Sequence, residues 1–263
     1  EDLPAKVVQD AKLRILDTLG VTLAACFIPV GDVTRRAALK LGAGTECRIL
    51  GYGDRTSAAS AVVANGTMAH AHDYDDTHNE SVIHVSAPVV TAALAMAEAT
   101  RASGRELLTT VVGASELTCR LGVIAPGKLH ERGFHATGVF GAFGAALAAG
   151  RLLGLDGQKL RHAMGIAGSQ AAGILEFFAD GTWAKRLHPG WAAHAGIAAA
   201  HLADSGFTGP ASVIEGRYGL MRSHARGEQF DFDRVGKGLG RDWEYLKISY
   251  KPYPCGHVIH PFL

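Results

Sequence analysis

Several absences narrow what this 263-residue chain can be. Its four cysteines, Cys26, Cys47, Cys119 and Cys255, stand far apart and form no Cys-x-x-Cys pair. That spacing argues against a structural zinc site, a disulfide framework and an iron–sulfur cluster, and it points to a reducing, cytoplasmic setting. Charge of one sign is also missing: 26 Lys and Arg face 25 Asp and Glu, a net +1, which leaves no broad footprint for nucleic acid or an anionic membrane. No hydrophobic run is long enough to span a bilayer. The most apolar stretch, from Ala136 to Gly150, is closed by His135 and Arg151 and falls short of the roughly 20 residues required. The glycine clusters Gly42-Ala43-Gly44 and Gly236-Lys237-Gly238-Leu239-Gly240 have neither a strand-to-helix context nor a following Lys-Ser/Thr, so nucleotide binding is not expected.

What is present is helical. With 48% hydrophobic and 19% charged residues, the composition is that of a chain able to bury one large core or two modest ones. Val8, Ala11, Ile15, Leu19 and Leu23 recur at spacings of three and four and predict an amphipathic helix over residues 4 to about 25. Residues 45–52 suit a short extended segment, and the Ala-rich stretch 57–72 suits a helix. Ser86-Ala87-Pro88 opens another, with Ser86 as N-cap and Pro88 in the first turn. Further helices are predicted over 106–121, 138–155, 160–179 and 191–205, the last closed by Gly206. Gly138, Ala142, Ala145 and Ala149 share one side and would let helix backbones approach closely. The fold class is therefore all-α, a multi-helix bundle over residues 1–235. After a flexible link at 236–240, Leu246, Ile248 and Tyr250 alternate with Lys247, Ser249 and Lys251 as in a half-buried strand, until Pro252 and Pro254 stop it. His260-Pro261 could then open a helix. One strand cannot stand alone, so residues 236–263 are expected to be a linker and the start of a truncated α/β lid domain.

Polar, titratable residues gather in a few places. The densest is His70-Ala71-His72-Asp73-Tyr74-Asp75-Asp76-Thr77-His78. If the preceding helix continued through it, Asp73, Asp76 and Thr77 would share a face at i, i+3 and i+4. Neighbouring carboxylates are expensive to bury, so a sequence that only had to fold would avoid the cluster. His84 follows seven residues after Thr77, His135 stands between Gly133 and Gly138, and Lys185, Arg186 and His188 lie in the stretch 181–190, read as a loop. Each has a plain alternative: His72 and His78 as hydrogen-bonded histidines, Asp75 as a solvated acid, Asp73 and Asp76 as helix caps, His135 as a helix-end residue, Lys185 as a solvated cation. A metal is not expected, because ligand types crowd one segment without a diagnostic spacing such as His-Glu-x-x-His; a metal-dependent hydrolase is the rival class.

The run from His70 to Thr77 with His84, then Gly133-Phe134-His135, Gly181-Thr182-Trp183-Ala184-Lys185 and Lys251-Pro252-Tyr253-Pro254-Cys255, resembles the MmgE/PrpD family, in order over nearly the whole chain. The resemblance implies a two-domain, homodimeric enzyme with a helical domain, a smaller α/β lid and an active site between them. It implies Asp73, His84, His135 and Lys185 as catalytic residues, Thr77, His188 and His257 as substrate-binding ones, and no cofactor. Family substrates are small di- and tricarboxylates, in which a bond is broken beside a carboxylate and negative charge develops. Such a reaction needs cations, here Lys185, and a base such as His135 or His84 oriented by Asp73. The expected function is that of a cofactor-independent lyase dehydrating a 2-methylcitrate-like hydroxy acid, with epimerisation or decarboxylation of a related acid as alternatives. A non-catalytic helical dimerisation module is the reading from another class.

Overall fold

A computed structural model describes residues 3–225 and 229–263; Glu1, Asp2 and residues 226–228 of the expected helical domain lie outside them. Helices make up most of the described chain: α1 (Ala5–Ala24), α2 (Pro29–Leu41), α3 (Ala58–Ala69), α4 (Ser86–Thr100), α5 (Gly104–Gly122), the short α6 (Lys128–Glu131), α7 (Ala136–Leu152), α8 (Gly157–Gln170), α9 (Ala184–Asp204) and the short α10 (Leu220–His224). Their starts are written locally. Ser57 and Asp156 cap α3 and α8, and α5 opens on a capping box in which Ser103 and Glu106 satisfy each other's backbone N–H groups.

The helices α3, α4 and α7 are apolar around most of their circumference, so each can be stable only when enclosed. α7 lies at the centre, packed against α4, α5, α8 and α9. Small residues permit this. A Cβ on Gly196 of α9 would come within 2.5 Å of the Ala145 Cβ on α7, and one on Gly66 within 2.6 Å of the Gly190 Cα. Larger side chains would force the helices apart in an interior packed as densely as an organic crystal. The four cysteines are free, and no single helix among the described residues is long and apolar enough to cross a membrane.

Two short antiparallel pairs complete the described elements: β1 (Cys47–Arg48) with β2 (Arg55–Thr56), and β3 (Thr77–His78) with β4 (Ile248–Ser249). The second pair sets Thr77 against Ser249 and His78 against Ile248, which fastens the C-terminal segment beside the polar cluster.

Several local expectations give way to tertiary structure. The helix of residues 57–72 stops at Ala69, and Asp73 takes a left-handed φ of +51°, so Asp73, Asp76 and Thr77 do not share a helical face. The predicted helix 160–179 ends at Gln170, before Gly173 with φ +129°, and a 3₁₀ turn (Leu175–Phe178) follows. The stretch 184–190, read as loop, is the opening of α9, which holds Pro189 within it. Val85 takes the N-cap position of α4, and Ser86 instead donates its hydroxyl to Asp76. The strand expected from Leu246 to Tyr250 shortens to Ile248–Ser249, because residues 244–247 form a 3₁₀ turn. A 3₁₀ turn (His257–Phe262) holds Pro261 within it, in place of the helix expected to open there. The link at 236–240 is anchored: Arg120 on α5 donates to the carbonyls of Arg234, Val235, Lys237 and Asp242.

Candidate active site

Asp73 is the hub. It leaves the end of α3 in a backbone conformation that costs a non-glycine residue about 1 kcal/mol or more, and such strain persists only where surrounding contacts over-determine it. Those contacts are cationic. Lys185, in the first turn of α9, places Nζ 2.5 Å from Asp73 Oδ2, while Lys251, arriving from beyond β4 with a fully buried side chain, donates to Asp73 Oδ1 at 2.9 Å and to the Asp73 carbonyl at 2.6 Å. Gly256 passes so close that a Cβ there would sit 3.1 Å from Asp73 Oδ2. Burial would raise the Asp73 carboxyl, but Lys185, the imidazoles of His70 and His84, and Lys251 together hold it far below the ordinary range, so it is ionised.

Histidines line the other side. His84 precedes α4, its N–H bonded to Thr137 Oγ1 at 3.0 Å; its Nε2 lies 3.7 Å from Asp73 Oδ1, and its Nδ1 lies 3.4 Å from Thr77 Oγ1 and 3.5 Å from Asp75 Oδ2. His135, the N-cap residue of α7, is fixed by its backbone bond to the Gly173 carbonyl, and its Nδ1 meets His188 Nδ1 at 2.9 Å. His70 sits between them, its ring 4.6 Å from that of His84 and 5.7 Å from that of His135. Burial, reinforced by the neighbouring imidazoles and by Lys185, drives His135 well below the usual histidine range. Burial also lowers His188 and His70 to about 4, against the pull of Asp75 in the case of His70. These three rings are neutral at pH 7 and can accept a proton.

The geometry thus brings Asp73, Thr77, His84, His135, Lys185 and His188 into one cluster. His257 stands at its edge, lowered by burial, His260, Lys251 and His84 against the opposing pull of Asp73. A cavity of about 610 Å³ opens onto the cluster, lined by His70, His72, Asp73, Phe177, Thr182, Lys185 and Arg186 among others. Asp73 is the one protein acceptor of Lys185 Nζ among the described residues, which leaves the ammonium with two free N–H donors for an anion. Ligand atoms of His70, His84 and His135, and of His70, Asp73, Asp75 and His84, fall within 4.8 Å of one another, a spacing from which a cation could be held. The two ammonium groups already on Asp73 oppose that use and favour an anion.

Asp76 and His78 turn out to hold the fold together. Asp76 accepts from Arg14 and Ser86, and His78 contacts Ser81 and Glu244. Three site residues have no role in the sequence reading: His70, Asp75 and Lys251. Asp75, read as solvated, is 1% exposed. His70 and Asp75 belong to the dense polar run, which marks the neighbourhood without ranking its members. Lys251 is hidden in the polar half of an apparent strand, and its presence in Lys-Pro-Tyr-Pro-Cys is its only signal.

Comparison with known proteins identifies the family. The family model described as the MmgE/PrpD N-terminal domain matches residues 1–233. The chain is 30% identical over 272 residues to the cis-aconitate decarboxylase of Aspergillus terreus, covering 99% of this chain and 55% of that protein. It is 32% identical over 227 residues to the human protein of the same name, covering 81% and 45%, and 31% identical over 270 residues to that of Mus musculus, covering 97% and 52%. The chain spans about half the length of these relatives.

Proposed function

This chain belongs to the MmgE/PrpD family, and from that premise we propose that it is the helical part of a cofactor-independent lyase that decarboxylates a small unsaturated tricarboxylate of the cis-aconitate type. The observation that carries the proposal is the pair of ammonium groups, Lys185 and Lys251, gathered on Asp73 beside a bank of neutral imidazoles. A tricarboxylate brings three negative charges. The spare donors of Lys185, with Arg186 and Thr182 on the cavity wall, suit its carboxylates. Asp73 would hold the ammonium groups in register and keep them from collapsing onto the ligand.

In the proposed reaction the bond between one carboxylate and its carbon breaks, CO₂ leaves, and the electron pair stays on carbon. The double bond spreads that pair toward a second carboxylate, where Lys185 meets the developing charge. A proton then adds to carbon, delivered from Nε2 of His84, the ring atom on the Asp73 side, after that nitrogen has itself taken the proton from solvent. His135, neutral and paired with His188, closes the apolar side against Phe177.

The names of the relatives favour decarboxylation over the dehydration expected from the sequence. Dehydration of a hydroxytricarboxylate is the second reading, favoured by one feature: a buried neutral His135 is better suited to taking a proton than to giving one. A homodimer belongs to the same proposal, supported by Leu13, Leu16 and Leu23, which leave one side of α1 exposed.

Incubating the full-length protein in D₂O with cis-aconitate, and separately with 2-methylcitrate, tests the reaction. Release of CO₂ with one deuteron gained at carbon supports the proposal. Water loss from the hydroxy acid without CO₂ from either would replace it with dehydration.

A further inference from the structure

Asp75 carries no role in the reaction just proposed, yet its surroundings are unusual. The carboxylate is buried at 1% exposure in the loop between α3 and β3, and its side-chain partners are imidazoles. Both of its oxygens lie on His70 Nδ1, at 2.9 Å and 2.8 Å, and Oδ2 also faces His84 Nδ1 at 3.5 Å. By contrast Asp76, equally buried, is neutralised by a guanidinium. A buried carboxylate without a permanent cation survives only if hydrogen bonds compensate its charge.

An ionised carboxylate accepts hydrogen bonds and cannot donate them. Whichever ring nitrogens face Asp75 must therefore carry the protons. We infer that Asp75 is a positioning residue that locks His70 and His84 together in the Nδ1–H tautomer, so that both present a bare Nε2 as the proton-accepting atom of the site. This deepens the function proposed above and rests on it for the identity of the reaction, but not for the tautomers.

The surrounding contacts fit this arrangement. His70 Nε2 is buried with no hydrogen-bond partner, as a bare lone pair awaiting a donor would be. Thr77 Oγ1, 3.4 Å from His84 Nδ1, is able to accept from that same ring nitrogen. On the far side of the His84 ring, Nε2 lies on the side of Asp73, whose charge is already shared by Lys185 and Lys251. Burial works against an ionised Asp75, but the His70 and His84 rings outweigh it and hold its carboxyl well below the ordinary range. The other groups facing His84 are the rings of His70 and His135, with His130 and His257 further out. None of these is an anion, so the carboxylates that can orient the ring are Asp73 at Nε2 and Asp75 at Nδ1.

The test uses the full-length protein labelled with ¹⁵N in histidine. Ring spectra recorded at alkaline pH, where imidazoles are neutral, read the tautomer directly, with His70→Asn and His84→Asn used to assign the signals. The expected result is Nδ1–H at both rings. In Asp75→Asn, whose amide can donate as well as accept, at least one ring should shift toward Nε2–H, and kcat should fall roughly 100-fold or more with KM changed less than about threefold, since Asp75 does not touch the ligand. An Nε2–H tautomer at His84 in the unsubstituted protein overturns the inference. So does an Asp75→Asn protein that keeps both tautomers and full kcat. If Asp75→Asn does not fold, the tautomers of the unsubstituted protein decide alone. If no decarboxylation is found but both rings are Nδ1–H, the reaction fails and the inference stands.

Discussion

Two buried charge clusters, built from the same kinds of residue and separated by three positions in the sequence, behave in opposite ways. Around Asp76 both carboxylate oxygens are paired. Arg14 bonds Asp10, Asp76 and the Ile248 carbonyl, and Asp76 also receives the Ser86 hydroxyl and N–H. Around Asp73 valences remain open. Lys185 has donors to spare, His70 has a bare nitrogen, and the side chain of Asp73 is 30% exposed toward a cavity. The first cluster ties α1, α4 and β4 together; the second awaits a ligand. Burial and charge alone do not separate these two clusters, whereas the spare hydrogen-bonding capacity of Lys185 and His70 does.

The largest effect should come from breaking the closed cluster. Asp76→Asn removes the fully buried carboxylate from Arg14, which keeps only the partly exposed Asp10, and breaking a buried pair of this kind costs up to about 3–5 kcal/mol. The variant should be insoluble or melt far below the parent, as thermal unfolding by circular dichroism will show. A melting temperature within a few degrees of the parent would mean that Asp76 is not structural. The open cluster predicts the reverse. Lys185→Ala should lower kcat/KM by roughly 10- to 100-fold, the worth of a charged hydrogen bond, with little change in melting temperature. A protein that loses its fold instead would move Lys185 to the structural side of the comparison.

Acid sharpens the contrast further. His70 and His188 are lowered from 6.5 to about 4 by burial, so between these values the unfolded chain binds protons that the folded chain refuses. Stability is fully present above pH 6.5 and declines as pH falls toward 4. Asp73 and Asp75, ionised in the folded protein at still lower pH, add a second loss below the ordinary carboxylate range, as the unfolded chain takes up their protons first. The melting temperature should fall steadily from pH 6.5 to 4 and then more steeply. A flat profile across the upper window would show that the two histidines are not held neutral.

How far each cluster could be read from the sequence follows from the range of the interactions that make it. The helices are local, and the periodicity of α1 and the Ala-rich runs of α3, α4 and α7 announce them. The position of Asp73 is not local. Its ammonium partners come from 112 and 178 residues away, and the left-handed turn that presents it interrupts a pattern that would otherwise continue as helix. Arg14 and Asp76 lie 62 residues apart, so nothing nearby says that Asp76 faces inward to a guanidinium while Asp75 faces two imidazoles. Composition marks the polar run as a site, but only the tertiary fold sorts it into a closed half and an open half.

The smallest effect is expected where the open cluster meets its edge. His257 follows Gly256, which packs against Asp73, and its ring contacts that of His260 at 4.8 Å. It is not fully buried, and it neighbours the ammonium of Lys251 rather than holding it. A group in that position contributes complementarity more than binding energy, as groups at the rim of an interface do. His257→Ala should therefore raise KM by about two- to fivefold, leave kcat nearly unchanged, and leave the melting temperature where it was. A loss of kcat as large as that of Lys185→Ala would show that the open cluster extends through His257, and would place a proton-transferring ring on the C-terminal segment as well as on the helical bundle.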